Sequence, residues 1–251
     1  MDLRPFLPSA VREYLAAGPD RPTLHPERLE GACLFADVSG FTALSESLAA
    51  IGAEGAEVLT RVLNEFYAAV IAVLEPAGGD VMRFAGDAVT VFFPGEHAAE
   101  SALRAGLDLQ GMMGRFASVP TPAGPAVLKM KIGIAAGTCR LFLMGDGERL
   151  DYVFAGAPVD GAAEAEHHAA AGEVIFAAGG FQVRGSGFQV EERAAGFLRL
   201  LPSPPSPVSN LPPSAFRLQQ CPTPPSSPSS TARSWNWPGR AASSGSTSTV
   251  R

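Results

Sequence analysis

Apolar positions along the chain fall into two alternating periods. From Glu54 to Leu74 they recur at helical spacing, as Val58, Leu59, Val62, Leu63, Phe66, Val70, Ile71 and Leu74, and Pro76, Gly78 and Gly79 end the run. This predicts a long amphipathic helix. Ahead of it, Gly31–Val38 (GACLFADV) is a short apolar run of strand length closed by Asp37 and Ser39-Gly40, the pattern of a buried strand. DVMRF and AVTVFF flank Ala85-Gly86-Asp87 as a β-hairpin. His97 to Phe116 returns to helical period through Ala102, Leu103, Leu107, Leu109, Met113 and Phe116, and LKMKIGIAAG with CRLFLMGDG reads as two paired strands. A strand at Tyr152–Phe154, a helix from Pro158 to Ala171 with proline in its first turn, and short strands to Leu201 complete the order. It predicts an α+β domain with a mainly antiparallel sheet covered by helices.

Composition divides the 251 residues into unlike pieces. Residues 202–251 hold 11 of the 22 prolines and no Asp or Glu; their only charges are Arg217, Arg233, Arg240 and Arg251. The whole chain carries −6, so residues 1–201 carry −10 and the tail +4. The expected organisation is a proline-punctuated lead-in over 1–30, with one amphipathic patch at Val11 to Leu15, a folded domain over 31–201, and a disordered tail over 202–251. The Pro, Ser, Arg, Ala and Gly bias of the tail is also what a shifted frame of GC-rich DNA produces. Cys33, Cys139 and Cys221 are scattered and form no C-x-x-C pair, as in a reducing cytosol. The first residues lack a signal-peptide core, and no run approaches a membrane span. A soluble cytoplasmic protein is expected, with no membrane partner. The acidity of the folded part argues against nucleic acid as its main partner.

Two aspartates carry the candidate chemistry. Asp37 ends a buried strand directly before the Ser39-Gly40-Phe41-Thr42 turn into a helix, where backbone N–H groups face outward. Asp87 sits at the hairpin tip about 50 residues later. Each alone has an ordinary reading, as a helix cap or a turn residue. If the first strand lies beside the hairpin, both carboxylates reach one sheet edge, and with the Val38 carbonyl they suit two Mg²⁺ about 3.5–4 Å apart for phosphoryl chemistry.

At these residues the chain resembles a known family. FADVSGFTALSE and MRFAGDAVTVFF are similar to the two metal-site motifs of the class III nucleotide cyclases, and KIGIAAG with YVFAGAPVDGAAEAE resembles the later segment. Within the family the likeness is to the first catalytic domain of the soluble, bicarbonate-responsive adenylate cyclases and their bacterial multidomain relatives. It implies a ferredoxin-like, palm-type α+β fold, and active sites formed between two domains set head to tail. Asp37 and Asp87 would be the catalytic, metal-binding carboxylates for two Mg²⁺ or Mn²⁺, joined by the Val38 carbonyl. Ser39, Gly40, Phe41 and Thr42 would meet the phosphates, and Lys131 matches a lysine that approaches the nucleotide. The substrate would be ATP, converted to cyclic AMP and pyrophosphate.

The resemblance also marks departures. The opposite domain normally supplies a purine-selecting lysine and an Asp or Thr, then an asparagine and an arginine that stabilise the transition state. Arg83, Val153, Asp160 and Glu164 stand at those four positions. Glutamate in place of arginine turns electrostatic stabilisation into repulsion. The chain is therefore expected to be the metal-bearing half, in need of a second cyclase domain. Of the basic pair that binds bicarbonate in relatives, Arg83 is present and Ala163 replaces the other, so a bicarbonate response is not expected.

Other readings stay open: a nucleotide-binding or regulatory pseudo-cyclase without activity, and a guanylate cyclase, because the purine selectors lie on the partner. A diguanylate-type cyclase, prompted by Gly78-Gly79-Asp80, fits less well because that triplet precedes the strand. His167 and His168 are adjacent on one helix and cannot share a face as metal ligands. His25 and His97 lie in polar turns, Ser39 has no nucleophile-type motif around it, and Met112-Met113 reads as core.

Overall fold

Alternation along one long strand organises the molecule. β1 (Glu27–Ser39) sends Ala32, Leu34, Ala36 and Val38 to one side of a sheet and Cys33 to the other, all of them buried. The computed structural model describes residues 7–16, 27–145, 150–179 and 188–202. The tail expected from residue 202, together with His25 and Cys221, lies outside the described residues save for Pro202. After α1 (Ser9–Ala16) and β1 come α2 (Phe41–Ala49), α3 (Ala53–Leu74), β2 (Asp80–Ala85), β3 (Ala88–Pro94) and α4 (Ala98–Met112). Then follow a 3₁₀ turn (Met113–Phe116), β4 (Lys129–Gly145), β5 (Leu150–Ala155), α5 (Ala157–His167), β6 (Val174–Ala177), β7 (Gln189–Ala194) and β8 (Phe197–Leu201).

The sheet has eight strands in the order β2-β3-β1-β4-β6-β8-β7, with β5 on the far part of β4. β1 is antiparallel to both neighbours, and β2 to β3. The chain reaches β2 from β1 through α2 and α3, and β4 from β3 through α4, which is the antiparallel ferredoxin-like arrangement. The α+β expectation is met. β6 adds a parallel pair with β4.

Two apolar layers hold the sheet. On one side Leu34, Ala36, Val89, Val91, Phe93, Ile132 and Ile134 meet Leu44, Val62, Phe66, Val70, Leu74, Ala102 and Leu109 of α2, α3 and α4. On the other side Cys33, Phe92, Ala135, Cys139 and Leu141 meet Val11 of α1 and Ala162 of α5. Asp37, odd-numbered like Cys33, belongs to this second side, where α5 lies.

The amphipathic patch of the lead-in forms a helix with a buried Val11, tied down by the backbone N–H and hydroxyl of Ser9, which both donate to Asp80, at 2.7 and 2.6 Å. Two expectations need correction. β1 begins at Glu27, because its first residues pair with Thr138–Leu141. LKMKIGIAAG and CRLFLMGDG are not two paired strands: β4 runs unbroken, since pairing to β1 continues through Gly31 and Gly137, and its hairpin partner is β5.

Candidate active site

Asp37 is positioned by register. β1 stays paired with β4 to its last residue, and Asp37 stands opposite Lys131. The strand then ends at Gly40, which caps α2 with φ 107, and a Cβ there would lie 2.4 Å from the Val127 carbonyl oxygen. Only glycine fits this corner. The first N–H groups of α2 have no partner within the helix. Phe41 is buried among Phe66 and Tyr67, so its side chain belongs to the core and only its backbone is open to a ligand. The Ser39 hydroxyl donates to the Lys129 carbonyl at 3.4 Å; Thr42 is exposed.

Asp87 is positioned by a two-residue turn. Ala85 pairs with Ala88, leaving Gly86 (φ 66) and Asp87 between them. The turn is fixed from α3, because the Tyr67 hydroxyl donates to the Gly86 carbonyl at 3.1 Å while its ring packs edge-on against Phe84 at 5.0 Å. The sequence reading passed over Tyr67, although it follows Leu63 by four residues on the same helix face.

Asp37 feels the charge of Asp87. Burial pushes the Asp37 carboxyl above the usual carboxylate range, and the Asp87 and Glu166 charges push it further; Lys131 and a hydrogen bond from the Val38 N–H oppose them. Burial and the Asp87 charge also raise the Tyr67 hydroxyl. Two half-buried carboxylates, one acting on the other, are hard-oxygen donors suited to a divalent cation. Among the described residues no cluster of three or more His, Cys, Asp or Glu forms a metal site, so a cation here would rely on these two carboxylates and on backbone or nucleotide oxygens.

A family model described as the adenylate and guanylate cyclase catalytic domain matches residues 26–199. The chain belongs to this class III cyclase family. It is 30% identical over 165 residues to adenylate cyclase type 10 of Oryctolagus cuniculus, which covers 63% of this chain and 10% of that protein. The chain thus spans about a tenth of the length of such curated relatives. Among solved structures it is similar to the adenylyl cyclase CyaB of P. aeruginosa, with TM-score 0.59 and 25% identity, covering 72% of this chain and 98% of that one. The guanylate cyclase domain of RhGC from Catenaria anguillulae, solved with GTP, shares the fold at TM-score 0.56 and 18% identity, covering 70% and 98%.

The four remaining positions lie on β2, β5 and α5. Asp160 and Glu164 are both exposed, one turn apart on α5. Val153, on β5, is exposed. Arg83, on β2, opens onto a cavity of about 750 Å³ lined also by Ser9, Arg12, Asp80, Phe84 and Tyr152, and neither Asp37 nor Asp87 lines it. Tyr152 ties this wall together by donating its hydroxyl to the Met82 carbonyl. His167 is 79% exposed and His168 packs on Phe197, so no histidine pair is formed. No helix among the described residues is long and apolar enough to cross a membrane.

One group went unnoticed in the sequence. Glu166 of α5 is buried, 4% exposed, with Oε1 3.2 Å from the Lys131 Nζ. Helical spacing gives the signal, since Glu166 follows Ala162 by four residues and shares its buried face.

Proposed function

We propose that residues 31–201 form the metal-bearing half of an adenylate cyclase, making cyclic AMP and pyrophosphate from ATP in a site shared with a second cyclase domain in signal transduction. The observation that supports this reading is that Asp87, at the β2–β3 turn, lies close enough to Asp37, at the end of β1, for its charge to act on the Asp37 carboxyl. The adenylate cyclase relatives favour ATP over GTP as substrate.

Asp37, Asp87 and the Val38 carbonyl would hold two divalent cations, Mg²⁺ or Mn²⁺, whose chemistry when bound is to acidify the ribose 3′-hydroxyl and to offset triphosphate charge. The chain's own groups do the rest. Backbone N–H groups from Ser39 to Thr42 at the start of α2 orient the phosphates, and the Lys131 ammonium adds a positive charge beside them. The 3′-oxygen bonds to the α-phosphorus, the bond to pyrophosphate breaks, and the hydroxyl proton leaves to solvent.

What this half lacks is the opposing clamp. Asp160 and Glu164 would face the phosphates of a homodimer's site with negative charge, which repels the transition state. Arg83 and Val153 stand where purine selectors would be. Exposed Phe84, Met144 and Val153, on the β2–β3 and β4–β5 hairpins, offer apolar surface to a partner domain.

The test is an assay for cyclic AMP with Mg²⁺ and with Mn²⁺, using the purified chain alone and mixed with a cyclase domain that carries the asparagine and arginine. Product only in the mixture, abolished by Asp37→Ala or Asp87→Ala, is expected. Intact nucleotide binding with no product in any mixture would instead make this a regulatory pseudo-cyclase.

A further inference from the structure

We propose that Glu166 is a positioning residue that holds Lys131 away from Asp37 and so keeps the Asp37 carboxylate open to a cation. The proposal rests on the two-carboxylate reading above.

Lys131 and Asp37 are register partners on adjacent antiparallel strands, with side chains on the same side of the sheet. Opposite charges in that relation ordinarily pair across the strands. Here the lysine instead makes its ion pair with Glu166, at 3.2 Å. Physical cost explains the choice. Glu166 is almost wholly buried and its Oε1 has no hydrogen-bond partner, so without the ammonium it would be a bare charge in the interior. Among the described residues, the one other group paired with its carboxylate is the exposed His167 ring, with Nε2 3.9 Å from Oε2, which carries charge only when protonated. Asp37 is half-exposed and can be served by water. Stranding a buried charge costs far more than leaving a part-exposed one unpaired.

The backbone commits Glu166 to this place. α5 lies so close to β4 at Gly133, two residues from Lys131, that a Cβ on Gly133 would sit 2.3 Å from the Glu166 nitrogen. The carboxylate is therefore delivered beside Lys131 by main-chain packing, not by a flexible side chain reaching in. The lysine stays opposite Asp37 across the two strands, yet its ion pair is with Glu166 and leaves Asp37 without an internal salt bridge.

Binding of Mn²⁺ to the full chain without nucleotide, followed by the electron paramagnetic resonance of the free ion, reads this directly. Glu166→Gln frees Lys131 to pair with Asp37, and Mn²⁺ affinity is expected to fall about three- to tenfold. In the Lys131→Met background the same substitution is expected to have no effect. A loss that persists undiminished in that background would mean that Glu166 acts only as a nearby negative charge, and the proposal would be overturned. So would an unchanged affinity in the single variant. Should Glu166→Gln fail to fold, Glu166→Asp keeps the charge but shortens the tether, and the same pattern of loss and rescue is expected. If the wild-type chain binds no Mn²⁺, the two-carboxylate reading fails by itself, and a crystal structure of the Glu166 variant still decides the positioning: Lys131 Nζ on the Asp37 carboxylate supports it, and Nζ unmoved refutes it.

Discussion

Gly133 on β4 meets the backbone of Ala162 and Glu166 on α5 with no room for a methyl group: a Cβ there would lie 1.9 Å from the Ala162 carbonyl oxygen. Neither contact is with a flexible side chain, so Gly133→Ala must push the helix off the sheet. A cost of about 2–3 kcal/mol is expected, seen as a fall in Tm of roughly 4–12 °C. Because α5 carries Glu166, the variant should also lose the Lys131 pairing, so Mn²⁺ affinity should fall along with stability. A variant of wild-type Tm would mean that helix and sheet are not in this close contact.

The parts legible in the sequence are those whose signal is local. The Gly31–Val38 run places Asp37 on a strand, the Gly86-Asp87 pair makes the hairpin turn, and the spacing from Val58 to Leu74 gives α3, because each period reports its own burial. What escaped depends on distant pairing. Gly137 looks like a break in β4 until Gly31 is seen opposite it, and Glu27–Glu30 looks like a charged linker until Thr138–Leu141 extends to meet it. At the site, the two aspartates were legible as motif residues. Glu166 and Tyr67 were not, because a carboxylate beside Lys131 and a hydroxyl under Gly86 are products of how α5 and α3 lie on the sheet.

Cys33 and Cys139 lie on β1 and β4 with their sulfur atoms 3.3 Å apart, both free thiols with no exposed surface. The hydrogen bond with Cys139 and burial push the Cys33 thiol up, while the same bond lowers Cys139, whose protection therefore rests on its burial. In the native protein both should resist a thiol reagent and react only as fast as the sheet opens. Peptide mapping after timed alkylation checks this, with Cys221 followed separately. Rapid labelling of Cys33 under native conditions would show that the α1 and α5 layer does not seal this side of the sheet.

Tyr67 and Tyr152 both have hydroxyls raised by burial, Tyr67 further by Asp87 and Tyr152 by Asp151 and Asp80 against an opposing Arg83. A folded-state pKa above the unfolded one means that the native chain holds the proton more tightly. The stability this confers is complete below about pH 10 and is lost as pH rises through the shifted range. Absorbance at 295 nm should therefore show these tyrosines ionising later in the native protein than in denaturant. Tyr67→Phe should remove one late transition and, by losing the hydrogen bond to Gly86, cost about 0.5–1.5 kcal/mol. It should also loosen the turn that carries Asp87, weakening Mn²⁺ binding. A native titration that overlays the unfolded one would contradict the packing of both rings.

Asp160 and Glu164 make the sharpest test of the half-site reading, because both are exposed on one face of α5 and can be changed without disturbing the core. If the two-carboxylate site is competent and only its clamp is missing, then Asp160→Asn together with Glu164→Arg should give the chain some cyclase activity by itself as a head-to-tail homodimer. Restored transition-state donors are worth about 10²- to 10³-fold in rate, although Arg83 and Val153 still leave the purine without its usual selectors. Activity should therefore rise from background to a measurable level, accept ATP and GTP with little preference, and vanish when Asp37→Ala is added. Sedimentation should show the dimer, since an unpaired domain would stay silent for a different reason. A dimer that forms, binds Mn²⁺ and nucleotide, and still makes no cyclic nucleotide would mean that more than the clamp has been lost. The domain would then be regulatory.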